Sequence, residues 1–175
     1  MTGRGEQVVL VADDGTVLGT ADKATVHSAD TPLHLAFSCH VSDPDGRVLV
    51  TRRALAKRTW PGVWTNSFCG HPSPGEPLRE GVARRALEEL GVTLTDLELA
   101  LPHFRYLATD ASGMVENELC PVFTARTDDQ VLPDPDEVAE YRSVQPAELR
   151  TAIAAAPWAF SPWLTLQIPA LDGRG

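Results

Sequence analysis

Cys69 and His71 stand two positions apart in Thr65-Asn66-Ser67-Phe68-Cys69-Gly70-His71-Pro72-Ser73-Pro74-Gly75-Glu76, a stretch crowded with turn formers. A thiol so placed can be a nucleophile, a metal ligand, a carrier of protons or simple packing, and other residues have to choose between these. Two carboxylates, Glu116 and Glu118, alternate in Met114-Val115-Glu116-Asn117-Glu118-Leu119. On a strand that spacing turns both to one face. His27, His34 and His71 fall in segments rich in Pro, Asp and Thr, where a scaffold usually displays its ligands. Three imidazoles and two carboxylates make a donor set suited to zinc, manganese or iron rather than calcium. The plainer reading of each residue stays open beside this one: an edge strand shows acidic side chains to solvent, and a lone histidine is an ordinary surface or core residue. His40 and His103 have no such partners and take the plainer reading.

Charge narrows the ligand class. A net charge of -9 and a pI near 4.9 exclude the basic footprint that a nucleic-acid backbone requires. An anionic ligand must therefore find a local basic pocket, for which Lys23, Arg52-Arg53, Lys57-Arg58 and Arg84-Arg85 are the clustered candidates. Singly, each is an ordinary solvated charge. No run is apolar enough for a signal peptide or a bilayer span, so a cytoplasmic protein without membrane contact is expected. In that compartment Cys39, Cys69 and Cys120 stay reduced and serve as packing, ligands or catalysts rather than as disulfides.

The elements that must position these residues follow from periodicity and turn chemistry. Hairpins are expected around Ala12-Asp13-Asp14-Gly15, flanked by Val8 to Val11 and Val17-Leu18, and around Asp43-Pro44-Asp45-Gly46, flanked by Leu33 to Val41 and Val48 to Thr51. Leu78, Val82, Ala86 and Leu90 recur every four residues between Gly75 and Gly91 and predict an amphipathic helix. Glu98 to Leu107 and Glu116 to Ala125 read as two strands about the turn Thr109 to Gly113. Pro146 to Ala156 reads as a helix stopped by Pro157, and Ser161-Pro162 as the cap and first turn of a last helix carrying Trp163. Helices and strands mix without a βαβ repeat, which gives an α+β fold. The 175 residues suit a single domain, residues 1–175.

The helix ending Arg84-Arg85-Ala86-Leu87-Glu88-Glu89-Leu90-Gly91-Val92, with Gly75 upstream, resembles the Nudix box, in which a glycine-led loop and helix present glutamates to magnesium bound by a diphosphate. Surface pairing of Arg84 with Glu88 and of Arg85 with Glu89, worth at most about 0.5 kcal/mol each, is the plainer account of those charges. The match is partial. A Nudix hydrolase would carry glutamate where this chain has Gly81, and Arg-Glu where it has Arg84-Arg85. Loss of those carboxylates weakens the multi-metal activation of water that pyrophosphate cleavage needs.

Six blocks, Leu33-His34-Leu35-Ala36-Phe37-Ser38, Val50-Thr51-Arg52-Arg53-Ala54, Trp60-Pro61-Gly62-Val63-Trp64-Thr65-Asn66-Ser67, Cys69-Gly70-His71-Pro72, Val115-Glu116-Asn117-Glu118 and Pro157-Trp158-Ala159-Phe160-Ser161-Pro162-Trp163, together resemble the type I isopentenyl-diphosphate isomerase family. The likeness runs in order from about Gly19 to about Trp163. It implies a Nudix-like α/β/α sandwich, a mixed sheet flanked by helices, acting on small isoprenoid diphosphates as a monomer or weak homodimer. Metal ligands then fall on His27, His34, His71, Glu116 and Glu118, holding manganese, zinc or magnesium. A magnesium ion bridging the substrate falls to Glu89 and the main-chain carbonyl of Cys69. Diphosphate binding falls to Lys23, Arg53, Lys57 and Arg85, and proton transfer to Cys69 and Glu118, with Tyr106 beside the carboxylate and Trp163 over the hydrocarbon. Trp158 and Phe160 are expected in ordinary core packing. The rivals are a Nudix pyrophosphohydrolase, which has no need of Cys69, and a non-catalytic metal-binding domain on the same fold.

Overall fold

A computed structural model describes residues 6–174; residues 1–5 and 175, the ends of the span read as one domain, lie outside it. The predicted first hairpin forms: β1 (Gln7–Val11) and β2 (Val17–Asp22) pair antiparallel around Gly15. Asp22 then caps α1 (Lys23–Val26), accepting from the Ala24 N–H at 2.8 Å.

Three stretches read as single strands each divide between two sheets. Leu33 to Val41 becomes β3 (His34–Leu35) and β4 (Phe37–Ser42). Glu98 to Leu107 becomes β8 (Thr95–Leu101) and β9 (Arg105–Thr109), and Glu116 to Ala125 becomes β10 (Val115–Leu119) and β11 (Val122–Arg126). Two of the breaks hold a proline, Pro102 and Pro121, which has no N–H to give a ladder. At the third, the Ala36 N–H donates to the Leu119 carbonyl, and beside Pro121 the Cys120 N–H donates to that of Phe104, so the backbone stays paired as it passes from sheet to sheet.

The smaller sheet has five strands in the order β2-β1-β3-β10-β9. The larger has seven. Its path runs β12 (Val138–Val144), β5 (Val48–Arg53), β4, β11, β8, with β6 (Trp64–Thr65) on β5 and β7 (Phe68–Gly70) on β4. β12 had no sequence signal: Val138 is its single buried residue, Val144 is half-buried, and between them this edge strand is Ala, Glu, Tyr, Arg and Ser.

The larger sheet is covered on both faces. Adjacent residues of β5 point to opposite sides: Leu49 joins Phe37, Phe68 and Phe123 under Val82, Ala86 and Leu90 of α2 (Leu78–Leu90). Val50 joins Leu149 and Ile153 of α3 (Pro146–Ala155) and Leu164 of α4 (Pro162–Asp172). The four-residue spacing predicted for α2 is thus the stripe that it buries. Gly91 ends the helix at φ 66°, its N–H donating to Leu87 and Ala86 carbonyls. The last helix is longer than a stub at the chain end: capped by Ser161, it runs to Asp172.

Candidate active site

The site lies at the seam where the two sheets part. β3 and β10 run parallel with Glu118 opposite His34, and β10 pairs antiparallel with β9, which sets Glu118 opposite Tyr106. β7 hangs on β4 with Cys69 opposite Ser38. One cavity of about 290 Å³ results, lined by Lys23, His27, Arg53, Lys57, Cys69, His71, Arg85, Tyr106, Glu116, Glu118 and Trp163. Of the predicted site residues, only His34 and Glu89 sit behind its wall, both buried.

Donor atoms of His27, His34, His71 and Glu118 converge within 4.8 Å of one another. Glu116, predicted as a fifth member, stands beside this group: its Oε2 lies 3.0 Å from His27 Nε2 and its Oε1 accepts from the Thr59 hydroxyl at 2.7 Å. His34 donates from Nδ1 to the Pro32 carbonyl at 2.9 Å, which leaves a buried Nε2 without a hydrogen-bond partner. A fully buried nitrogen with a lone pair turned into a cluster of donors fits a metal ion, whose ligating imidazoles are oriented in just this way through the other nitrogen. Burial alone would raise the Glu118 carboxyl, but His34 and His71 hold it well below the usual carboxylate range. Tyr106 donates to Glu118 Oε2 at 2.8 Å. Burial and the neighbouring carboxylates push its phenol well above the ordinary value, so it remains a donor.

Cys69 sits across from these groups, and burial pushes its thiol up to about 11. Sulfur accepts no strong partner. Its neighbours are Asn66 Oδ1 and Ser38 Oγ, each at 3.3 Å. Trp163 closes the wall: its Nε1 donates to Asn66 Oδ1 at 3.0 Å, Trp60 stands edge-on to its ring at 5.5 Å, and Tyr106 is tilted against it at 5.4 Å. Arg53 lies over the Trp163 ring at 5.4 Å and spends its Nε and one terminal nitrogen on the Thr59 and Trp60 carbonyls.

The predicted cations do converge at the mouth, and carboxylates accompany them. Lys57 pairs with Glu137, Arg85 with Glu88, Glu89 and Glu137, and Lys23 with Glu6. Gly70 makes room for this: a Cβ there would meet Arg85 Cγ at 2.9 Å and Phe37 at 2.8 Å. Sequence reasoning missed Glu137, Thr59, Asn66 and Trp60. Trp60 stood in a quoted block, but Glu137 lies in an unpatterned acidic stretch and carried no signal.

Gly81 leaves room for a loop side chain: Glu76 Oε2 lies 3.0 Å from where a Cβ of Gly81 would stand, and Arg84 binds both its oxygens at 2.8 and 2.9 Å. One expectation changes. Trp158 does not pack in the core. It is 82% exposed on the short 3-10 turn Pro157–Ala159, which turns it away from the sheet, while Phe160 does pack beside Val50 and Leu164.

A family model for the NUDIX domain matches residues 32–164. An isopentenyl-diphosphate Delta-isomerase of Leifsonia xyli subsp. xyli is 64% identical over 173 residues, covering 98% of this chain and 94% of the relative. One of Clavibacter sepedonicus is 65% identical over 166 residues, covering 95% and 87%. Among solved structures, a Deinococcus radiodurans protein superposes with a TM-score of 0.74 at 20% identity, covering 95% of this chain and 99% of its own. A MutT protein of Methanosarcina mazei gives 0.62 at 21%, covering 81% and 94%. The structural likeness carries the fold, and the sequence identity over nearly the whole of both chains carries more: the chain belongs to the isopentenyl-diphosphate Delta-isomerases of the Nudix family.

Proposed function

We propose that this protein interconverts isopentenyl and dimethylallyl diphosphate in the cytoplasm, with one domain carrying the whole reaction and Cys69 and Glu118 as its acid/base pair. The observation that carries this is the placement of a thiol and a buried carboxylate on one small cavity, walled by Trp163 and Tyr106 and rimmed by basic side chains.

Moving an unactivated double bond by proton addition and loss passes close to a tertiary carbocation, so one group must give a proton and another take one. The thiol is pushed up and the carboxyl held down. Together they hold one proton between two sites, the number the shift requires, and their roles exchange with the direction of reaction. Tyr106 stabilises the carboxylate form of Glu118 through its hydroxyl. The Trp163 face meets the developing cation without a nucleophile that would trap it, an attraction of about 2 kcal/mol when desolvated. Trp60, Trp163 and Tyr106 also exclude water, which would quench the cation to an alcohol.

His27, His34, His71 and Glu118, with Glu116 beside them, would hold one divalent ion, manganese, zinc or magnesium. When bound, such an ion supplies Lewis acidity that fixes Glu118 and changes its acidity. Glu89 and the Cys69 carbonyl would hold a substrate-bridging magnesium. Burial raises the Glu89 carboxyl, an effect that Arg85 only partly offsets, and a bound cation would favour its charged form. Lys23, Arg53, Lys57 and Arg85 bind the diphosphate, whose remote binding energy positions the alkene.

Proton NMR of isopentenyl diphosphate with the protein, magnesium and a transition metal in heavy water tests this. Deuterated dimethylallyl diphosphate without phosphate release supports it. Phosphate release would make the chain a hydrolase, and unchanged substrate with metal-loaded protein would leave a binding domain.

A further inference from the structure

A buried row of polar side chains ends between the sulfurs of Cys69 and Cys120. His40 Nε2 lies 2.8 Å from Gln167 Oε1, Gln167 Nε2 donates to Ser38 Oγ at 2.9 Å, and Ser38 Oγ stands 3.3 Å from Cys69 Sγ and 3.4 Å from Cys120 Sγ. Gln167 and Ser38 are both 0% exposed. An amide and a hydroxyl withdrawn from water in this way are costly unless each is paired, and apolar side chains would fill the same volume without that demand.

The row has a direction. An amide oxygen only accepts, so His40 donates from Nε2. Gln167 then offers an N–H to Ser38, and the Ser38 hydrogen is left for a sulfur. On the other side of Cys69, Asn66 Oδ1 is the acceptor for the thiol. Asn66 cannot turn over, because its Nδ2 donates to the carbonyls of Cys39 and Phe68 at 3.0 and 2.7 Å.

We infer that His40, Gln167 and Ser38 are positioning residues for the isomerase reaction: their one-way hydrogen bonds turn the Ser38 hydroxyl onto Cys69 and, with Asn66 opposite, set the direction of the thiol hydrogen in the cavity. The inference rests on the reading of Cys69 as an acid/base group. It explains why a helix at the far end of the chain sends a fully buried glutamine toward a strand residue that never faces the cavity. A sulfur makes long, weakly directional hydrogen bonds, and two rigid neighbours supply the direction it lacks.

Ser38→Ala and Gln167→Met remove the two links at little cost in volume. Ser38→Ala is expected to lower kcat about tenfold, as loss of one hydrogen bond predicts, with KM for isopentenyl diphosphate within about twofold. Gln167→Met should act in the same sense by about threefold. The infrared S–H stretching band of Cys69, assigned by difference against Cys69→Ala, should shift and broaden in both. A purely structural row would leave that band in place while the melting temperature and kcat fell together, and this result would overturn the inference, as would wild-type kcat with an unmoved band. Should Ser38→Ala not fold, Gln167→Met decides by the same readouts. Normal turnover by Cys69→Ala would instead defeat the underlying reading of the thiol.

Discussion

Glu118 accepts from Tyr106, faces His34 and His71, and shares its strand with Glu116. A residue so heavily engaged cannot lose its charge quietly. Glu118→Gln keeps the shape and removes the proposed base, and turnover should fall by at least about a thousandfold, as should that of Cys69→Ala, measured as dimethylallyl diphosphate formed. Lys57 pairs with Glu137 at the cavity mouth. Lys57→Ala should therefore raise KM about tenfold and leave kcat within about twofold, the signature of a contact equal in ground and transition states. His34→Ala removes the buried nitrogen that makes no hydrogen bond. Its metal content, read by elemental analysis after dialysis, should fall well below that of the parent chain.

At the scale of elements, α2 and the two early hairpins were legible because each repeats a local rule: a four-residue apolar period, or a turn of Asp and Gly between apolar runs. The divided strands were not. Pro102 and Pro121 mark two of the breaks, but Ala36 carries no mark, and no local pattern says that the chain passes to a second sheet at these points; β12 presents only Val138 and Val144 to the core. The histidines, Glu118 and Cys69 were legible by type and family likeness. Glu137 and the Asn66 side chain take their places through contacts between segments far apart in sequence, which no local pattern encodes. Gly91 offers a test of one element boundary. A side chain there meets a left-handed backbone at φ 66° and the Leu132 carbonyl at 3.1 Å, so Gly91→Ala should destabilise by about 1–2 kcal/mol, seen as a lower urea midpoint with normal activity in the surviving folded fraction.

For the whole molecule, His40 links stability to pH. Burial lowers its pKa from 6.5 to about 4, and the Gln167 contact only partly resists this. Between those values the unfolded chain binds a proton that the folded chain refuses, so stability present above about pH 6.5 is lost as pH falls. From pH 7 to pH 5 this single group should remove roughly 2 kcal/mol. His40→Gln should lose correspondingly less over the same interval, as chemical denaturation at the two pH values would record.

His27 and its partner Glu116 are 89 residues apart in sequence, and His34 reaches Glu118 only through a parallel pairing. Contacts of such long range close late in folding. While the chain is being synthesised, its first two histidines leave the ribosome well before either carboxylate exists, and no ion can be caged during that interval. An ion held by these residues would then be selected after synthesis, so the same gene product should carry different metals in cells grown on different trace-element supplies.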